Sequence, residues 1–164
     1  IRDSISFDGK DIANIDSISY RRKIPMLSQS PIIYSGSIRE NLLIGRKFQD
    51  KSKLDDDKLV SALSKVKLNV DLSESIDNLS GGEQQRVSIA RLMLLDSEAF
   101  LLDEASSALD DLTEDFVIET MVDMAKENKK TIIYVTHSNS MADKYSDRLI
   151  KIVDGRISND WFCY

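Results

Sequence analysis

The sequence has a single cysteine, Cys163, so no intrachain disulfide and no multi-cysteine metal site can form, as expected in a reducing compartment. Long apolar runs are missing too. The longest, such as 99–102 and 132–135, are far short of the roughly 20 needed to cross a bilayer, and no signal peptide opens the chain. Any membrane contact would have to pass through a partner. There are no internal repeats, low-complexity tracts or long linkers. Charge of neither sign dominates: 22 basic and 28 acidic residues leave a net charge of −6, which argues against a generic binder of nucleic acid or anionic membrane. An initiator methionine is also lacking. The abrupt opening Ile1-Arg2-Asp3-Ser4 suggests a piece of a longer protein. What is present, 164 residues of which 41% are apolar, is enough for one globular domain with a hydrophobic core, and a cytosolic location fits best.

Along the chain, Asp8-Gly9 is a two-residue turn signal between Ile5-Ser6-Phe7 and Lys10-Asp11-Ile12 and predicts a hairpin. Residues 24–27 predict a short strand, running into Ser28-Gln29-Ser30-Pro31, where the proline favours an extended loop. From 37 to about 70 the pattern is helical and charge-rich, with Leu59, Ala62, Leu63 and Val66 on one face. Ser80 followed by Glu83 has the form of a capping box and opens a helix carrying Val87, Ala90 and Leu94. The apolar run 99–102 reads as a strand buried on both faces of a parallel sheet. A helix over 113–126, a second buried strand over 131–136, a short helix near 140–145 and a closing hairpin around Asp154-Gly155 complete an α/β pattern with a helical insertion.

Two places carry chemistry. Asp103-Glu104 ends a strand, where open α/β sheets bind ligands; an aspartate there can hold Mg²⁺ and an adjacent glutamate can orient and deprotonate water. The alternative is two acids opening a solvated loop. Leu79-Ser80-Gly81-Gly82-Glu83 offers a hydroxyl and unhindered backbone N–H groups at a helix start, which suits a phosphate, or serves only as a cap with glycines easing the turn.

In order, these motifs resemble the nucleotide-binding domains of the ATP-binding-cassette (ABC) ATPases. Gln29 resembles the Q-loop glutamine, 79–83 the signature, 84–91 the signature helix, and 99–103 the Walker B strand with Glu104 as catalytic glutamate. Ser107-Ala108-Leu109-Asp110 resembles the D-loop, and His137, the sole histidine, the switch position. Alone, Gln29 could be a loop amide, His137 a strand-end surface residue and Asp110 a helix N-cap. The resemblance implies a P-loop NTPase (RecA-like) core with a mainly parallel sheet, incomplete at the N-terminus, plus a helical ABC subdomain. On this reading 1–28 is a remnant of the N-terminal core region, 29–92 the Q-loop, helical subdomain and signature, and 93–164 the C-terminal part of the core.

The resemblance further implies ATP and Mg²⁺ as cofactors and a second ATP-binding domain paired head to tail. Asp103 and Gln29 would help hold the metal, Glu104 would activate water, and His137 would contact the γ-phosphate. Ser80, Gly81 and Gly82, with Glu83 beside them, would close over phosphate from the opposite subunit, and Asp110 would link the two sites. A transmembrane partner would hold the protein at the cytoplasmic face of a membrane, with no nucleic acid involved. Residues 35–41 lean toward exporter-type domains. Two departures stand out. Glu83 replaces the commoner glutamine, and no G-x-x-x-x-G-K-[ST] occurs anywhere, so the 164 residues alone are expected neither to bind ATP tightly nor to hydrolyse it. The alternatives are a non-catalytic subunit presenting a signature half-site and a non-transport ABC ATPase.

Overall fold

The computed structural model describes residues 5–30, 32–51, 53–106 and 108–162; Ile1 to Ser4, Pro31, Ser107 and Cys163, all used above, lie outside the described residues. The first hairpin pairs β1 (Ser6–Phe7) with β2 (Lys10–Asp11). Its turn has φ +49° at Asp8 and +73° at Gly9, the left-handed pair a tight two-residue hairpin requires. Helix α1 (Ser17–Lys23) follows, capped by the Asp16 carboxylate accepting from Ser19 N–H and closed by Arg21, Arg22 and Lys23 in its last turn.

A three-stranded parallel sheet forms the centre, in the order β3 (Met26–Leu27), β4 (Ala99–Asp103), β5 (Thr131–Val135). Leu27 lies opposite Leu102, and Leu102 opposite Tyr134. The connections are helical. Helices α2 (Ile38–Phe48), α3 (Asp56–Ser64) and α4 (Gly81–Met93) lie between β3 and β4, and α5 (Asp111–Glu127) between β4 and β5. Helix α6 (Asn139–Tyr145) and an antiparallel hairpin of β6 (Arg148–Val153) and β7 (Arg156–Phe162) complete the order.

One hydrophobic core joins the helical insertion to the sheet. Ile38, Leu42, Leu59, Leu63, Val66 and Val87 pack in the same cluster as Phe100, Leu102, Val117 and Met121. Helix α2 closes on the end of α4 so tightly that a Cβ at Gly45 would come within 2.8 Å of a Leu95 methyl. The Arg46 guanidinium there donates to Leu94 O at 3.0 Å, and Gln49 bridges to the Asp96 backbone through both amide atoms.

One expectation fails. The strands 99–102 and 131–136 are not buried on both faces: Phe100 and Leu102 are covered, while Ile133 and Val135 remain 56% and 51% exposed and Met26 58%. Burial alternates along the strands because the helices cover one face, and nothing among the described residues covers the other.

Candidate functional site

Parallel pairing brings the ends of three strands to one edge. Gln29 lies just past β3, Asp103 ends β4 with Glu104 next, and His137 lies just past β5; Asp103 is opposite Val135 in register. Four of the candidate residues therefore share the carboxyl edge of one sheet, the place where open α/β sheets hold ligands. Gln29 stands exposed in a non-helical loop, and Asp103 is half-buried.

Glu104 and His137 are in direct contact. His137 Nε2 lies 2.6 Å from Glu104 Oε1, with the carboxylate side chain 25% exposed and the imidazole 88%. Glu104 also has φ +49°, a left-handed backbone that carries a cost of about 1–3 kcal/mol in a non-glycine residue unless its surroundings enforce it. The surroundings are visible. Glu104 N–H donates to Val135 O at 3.0 Å, and the next residue, Ala105, accepts through its carbonyl from the Gln85 side-chain amide. Gln85 is fully buried on α4, and its Oε1 has no hydrogen-bond partner among the described residues.

The signature segment forms the N-terminus of α4. Ser80 is the N-cap and Glu83 folds back over it: Glu83 Oε2 accepts from Ser80 N–H at 2.9 Å and from Ser80 Oγ–H at 2.7 Å, while Glu83 N–H donates to Ser80 Oγ. These bonds, the Ser80 hydroxyl foremost, hold the Glu83 carboxyl below its ordinary range. The capping-box reading is therefore correct for Ser80 and Glu83. Gly81 is exposed with open space where a side chain would stand, and a Cβ at Gly82 would approach Ala108 O at 3.3 Å. Gly82 thus lies against the loop that follows Glu104.

That loop leads into α5, where Asp110 is the N-cap and its Oδ1 accepts from Thr113 N–H at 3.1 Å. The Thr113 hydroxyl foremost, and this backbone contact after it, hold the Asp110 carboxyl below its ordinary range. Helix α4 reaches the segment after Gln29 as well, because Arg91 Nη2 donates to Ile32 O at 2.8 Å. The structure brings Glu104 to His137 directly, places Gln29 and Asp103 on the same edge, and sets Ser80, Gly81, Gly82 and Glu83 beside the Asp110 loop. Gln85 and Arg91, which join the signature helix to both loops, were missed by sequence reasoning. Their signal was two long polar side chains on an otherwise core-facing helix.

An edge of this kind can hold an oxygen-ligated cation and a water near a phosphate, with a carboxylate positioned to take a proton. The family model described as ABC transporter matches residues 1–107. ABC transporter I family member 17 of Arabidopsis thaliana is 33% identical over 94% of this chain and 59% of its own length, so the chain spans well under two thirds of that relative. The dimeric, post-hydrolysis structure of the ATP-binding cassette MJ0796 bound to ADP and Pi superposes with a TM-score of 0.81 at 24% identity, over 96% of this chain and 72% of that one, a likeness of fold. A bacterial Atm1-family ABC exporter with ATP bound gives 0.80 at 27% identity, over 93% of this chain and 28% of that one. Ordered motifs, a parallel sheet with its acids at the carboxyl edge, and a family match over more than half the sequence make this chain a member of the ABC transporter ATPase family.

Proposed function

We propose that this chain carries the water-activating and signature parts of an ABC transporter's ATP-binding domain, which works in a head-to-tail pair to couple ATP binding and hydrolysis to transport. The observation that carries the reading is the 2.6 Å contact between Glu104 and His137 at the carboxyl edge of the sheet. On this reading Glu104 accepts the proton of the attacking water. His137 fixes the carboxylate and turns toward the γ-phosphate when ATP is in place. The exposed Gly81 and the Ser80 hydroxyl meet phosphate bound mainly by the opposite subunit, and Asp110 lies where the two subunits meet. Residues 29–92 form the arm that answers to a transmembrane partner, which holds the protein at the cytoplasmic face of the membrane; among the described residues no helix is long and apolar enough to cross one.

Asp103 and Gln29 supply side-chain oxygens at one sheet edge, a donor set that suits Mg²⁺, which takes one or two protein ligands and completes its shell with phosphate and water. When bound, the metal neutralises charge on the β- and γ-phosphates. Glu83 limits what the signature can do. The Ser80 hydroxyl is already donated to Glu83, so a phosphate has to take that hydrogen bond over.

The test is Glu104→Gln in the full-length protein. Removing the general base lowers kcat by about 10²- to 10⁴-fold while ATP still binds, and turnover equal to wild type would overturn the assignment. A non-catalytic subunit that presents only a signature half-site is the second reading. It predicts no turnover in the full-length protein, where the first reading predicts turnover that Glu104→Gln lowers. The 164-residue chain alone is inactive on both readings, and ATP hydrolysis by it that Glu104→Gln abolishes would contradict both.

A further inference from the structure

Behind the loop that follows Glu104, three polar side chains from three elements close a triangle. Ser106 Oγ–H donates to Glu114 Oε1 at 2.6 Å, the Tyr134 hydroxyl lies 2.8 Å from Ser106 Oγ, and the same hydroxyl donates to Glu114 Oε1 at 3.1 Å. The Ser106 proton goes to the Glu114 carboxylate, and the single Tyr134 proton is shared between that oxygen and Ser106 Oγ. Ser106 is 1% exposed, in the turn after β4; Glu114 sits in the first turn of α5; Tyr134 is in β5. Burial above all pushes the Tyr134 phenol above its usual pKa, so it remains a donor at neutral pH.

Packing alone gives no reason for these groups. Residues 131–135 are otherwise a run of β-branched side chains, and a phenylalanine would fill the same half-buried space without a hydroxyl to desolvate. Their placement does give a reason. Ser106 follows Glu104 by two positions and Tyr134 precedes His137 by three, so the triangle joins the two stretches of chain that hold the Glu104–His137 pair. Tyr134 is opposite Leu102, on the covered face of the sheet, and the triangle therefore fastens both stretches from beneath. The left-handed backbone at Glu104 needs such support: Val135 O holds its own N–H, Gln85 holds Ala105, and the triangle holds Ser106.

We propose that Ser106, Glu114 and Tyr134 form a clasp that sets the position of Glu104 against His137, with Tyr134 as a positioning residue for hydrolysis. The inference rests on the ATPase reading above. It is tested in the full-length protein by measuring kcat, KM for ATP and thermal midpoint for wild type, Tyr134→Phe, Ser106→Ala and the double variant. Loss of the Tyr134 hydroxyl lowers kcat about 5- to 10-fold, the scale of one net hydrogen bond, and leaves KM within about twofold and the midpoint within a few degrees. The double variant falls no further than the weaker single variant, because both remove parts of one unit. If Ser106→Ala fails to fold, Glu114→Gln replaces it in the cycle. Wild-type kcat in Tyr134→Phe, multiplicative losses in the double variant, or a kcat that falls only with the folded fraction would each overturn the clasp. Wild-type turnover insensitive to Glu104→Gln would instead bring down the ATPase reading and the clasp with it.

Discussion

Glu104 holds a backbone conformation that glycine adopts freely and glutamate does not, and the residues around it show what keeps it there. Among them, Gln85 is the most committed, since it is fully buried and its side chain bonds the Ala105 carbonyl. Gln85→Ala leaves that carbonyl unpaired and opens a cavity, so it should destabilise the protein by about 2–4 kcal/mol, read as a lower denaturant midpoint with unchanged slope. Sequence pattern located Glu104 and His137 because their chemistry is tied to strand ends and motif order. It could not locate Gln85, Ser106, Glu114 or Tyr134, whose roles depend on contacts across 20 or more residues of sequence or across two loops. A tyrosine inside an otherwise aliphatic strand was the one local hint.

Helices α2 and α4 begin in the same way, with a serine N-cap and a glutamate three positions on that bonds back to it. Only the second was recognised in the sequence; Ser37 and Glu40 were absorbed into a broad helical stretch. Helix α1 was missed, because seven residues are too few for periodicity to show, although Asp16 and the three basic residues at its end marked its limits. Ser37→Ala should cost about 1 kcal/mol by unpairing an N-terminal N–H of α2, measured by chemical denaturation. The caps also set an acid limit. Glu40 and Glu83 are held below the usual glutamate value of 4.5, and Asp16 and Asp110 below the aspartate value of 3.8, in each case by hydrogen bonds to the cap. A carboxylate with a depressed folded pKa stabilises above its unfolded value and loses that contribution as pH falls through the folded one. Stability should therefore be steady from neutral pH down to about 5 and fall below that. Replacing Glu40 and Glu83 together by glutamine should flatten this acid limb, as followed by urea midpoints against pH.

At the scale of the molecule, the exposed face of the sheet is its most unusual surface. Met26, Ile133 and Val135 present apolar side chains to solvent from strands that carry the candidate chemistry on their ends. Parallel strands normally have both faces covered, so the 164-residue chain alone should bind an apolar dye and self-associate at this face. Ile133→Thr with Val135→Thr should reduce both effects, measured by dye fluorescence and light scattering; unchanged scattering would place the association elsewhere. The apolar runs were legible as strands but not as half-covered ones, because a sequence records what a strand can bury and not what lies over it. The whole chain contains one imidazole, and it is the one bonded to Glu104. Proton NMR of the 164-residue chain would therefore show one histidine's ring signals, without isotope labelling or assignment, and a shift of those two lines on Glu104→Gln would report directly on whether the carboxylate contact is made.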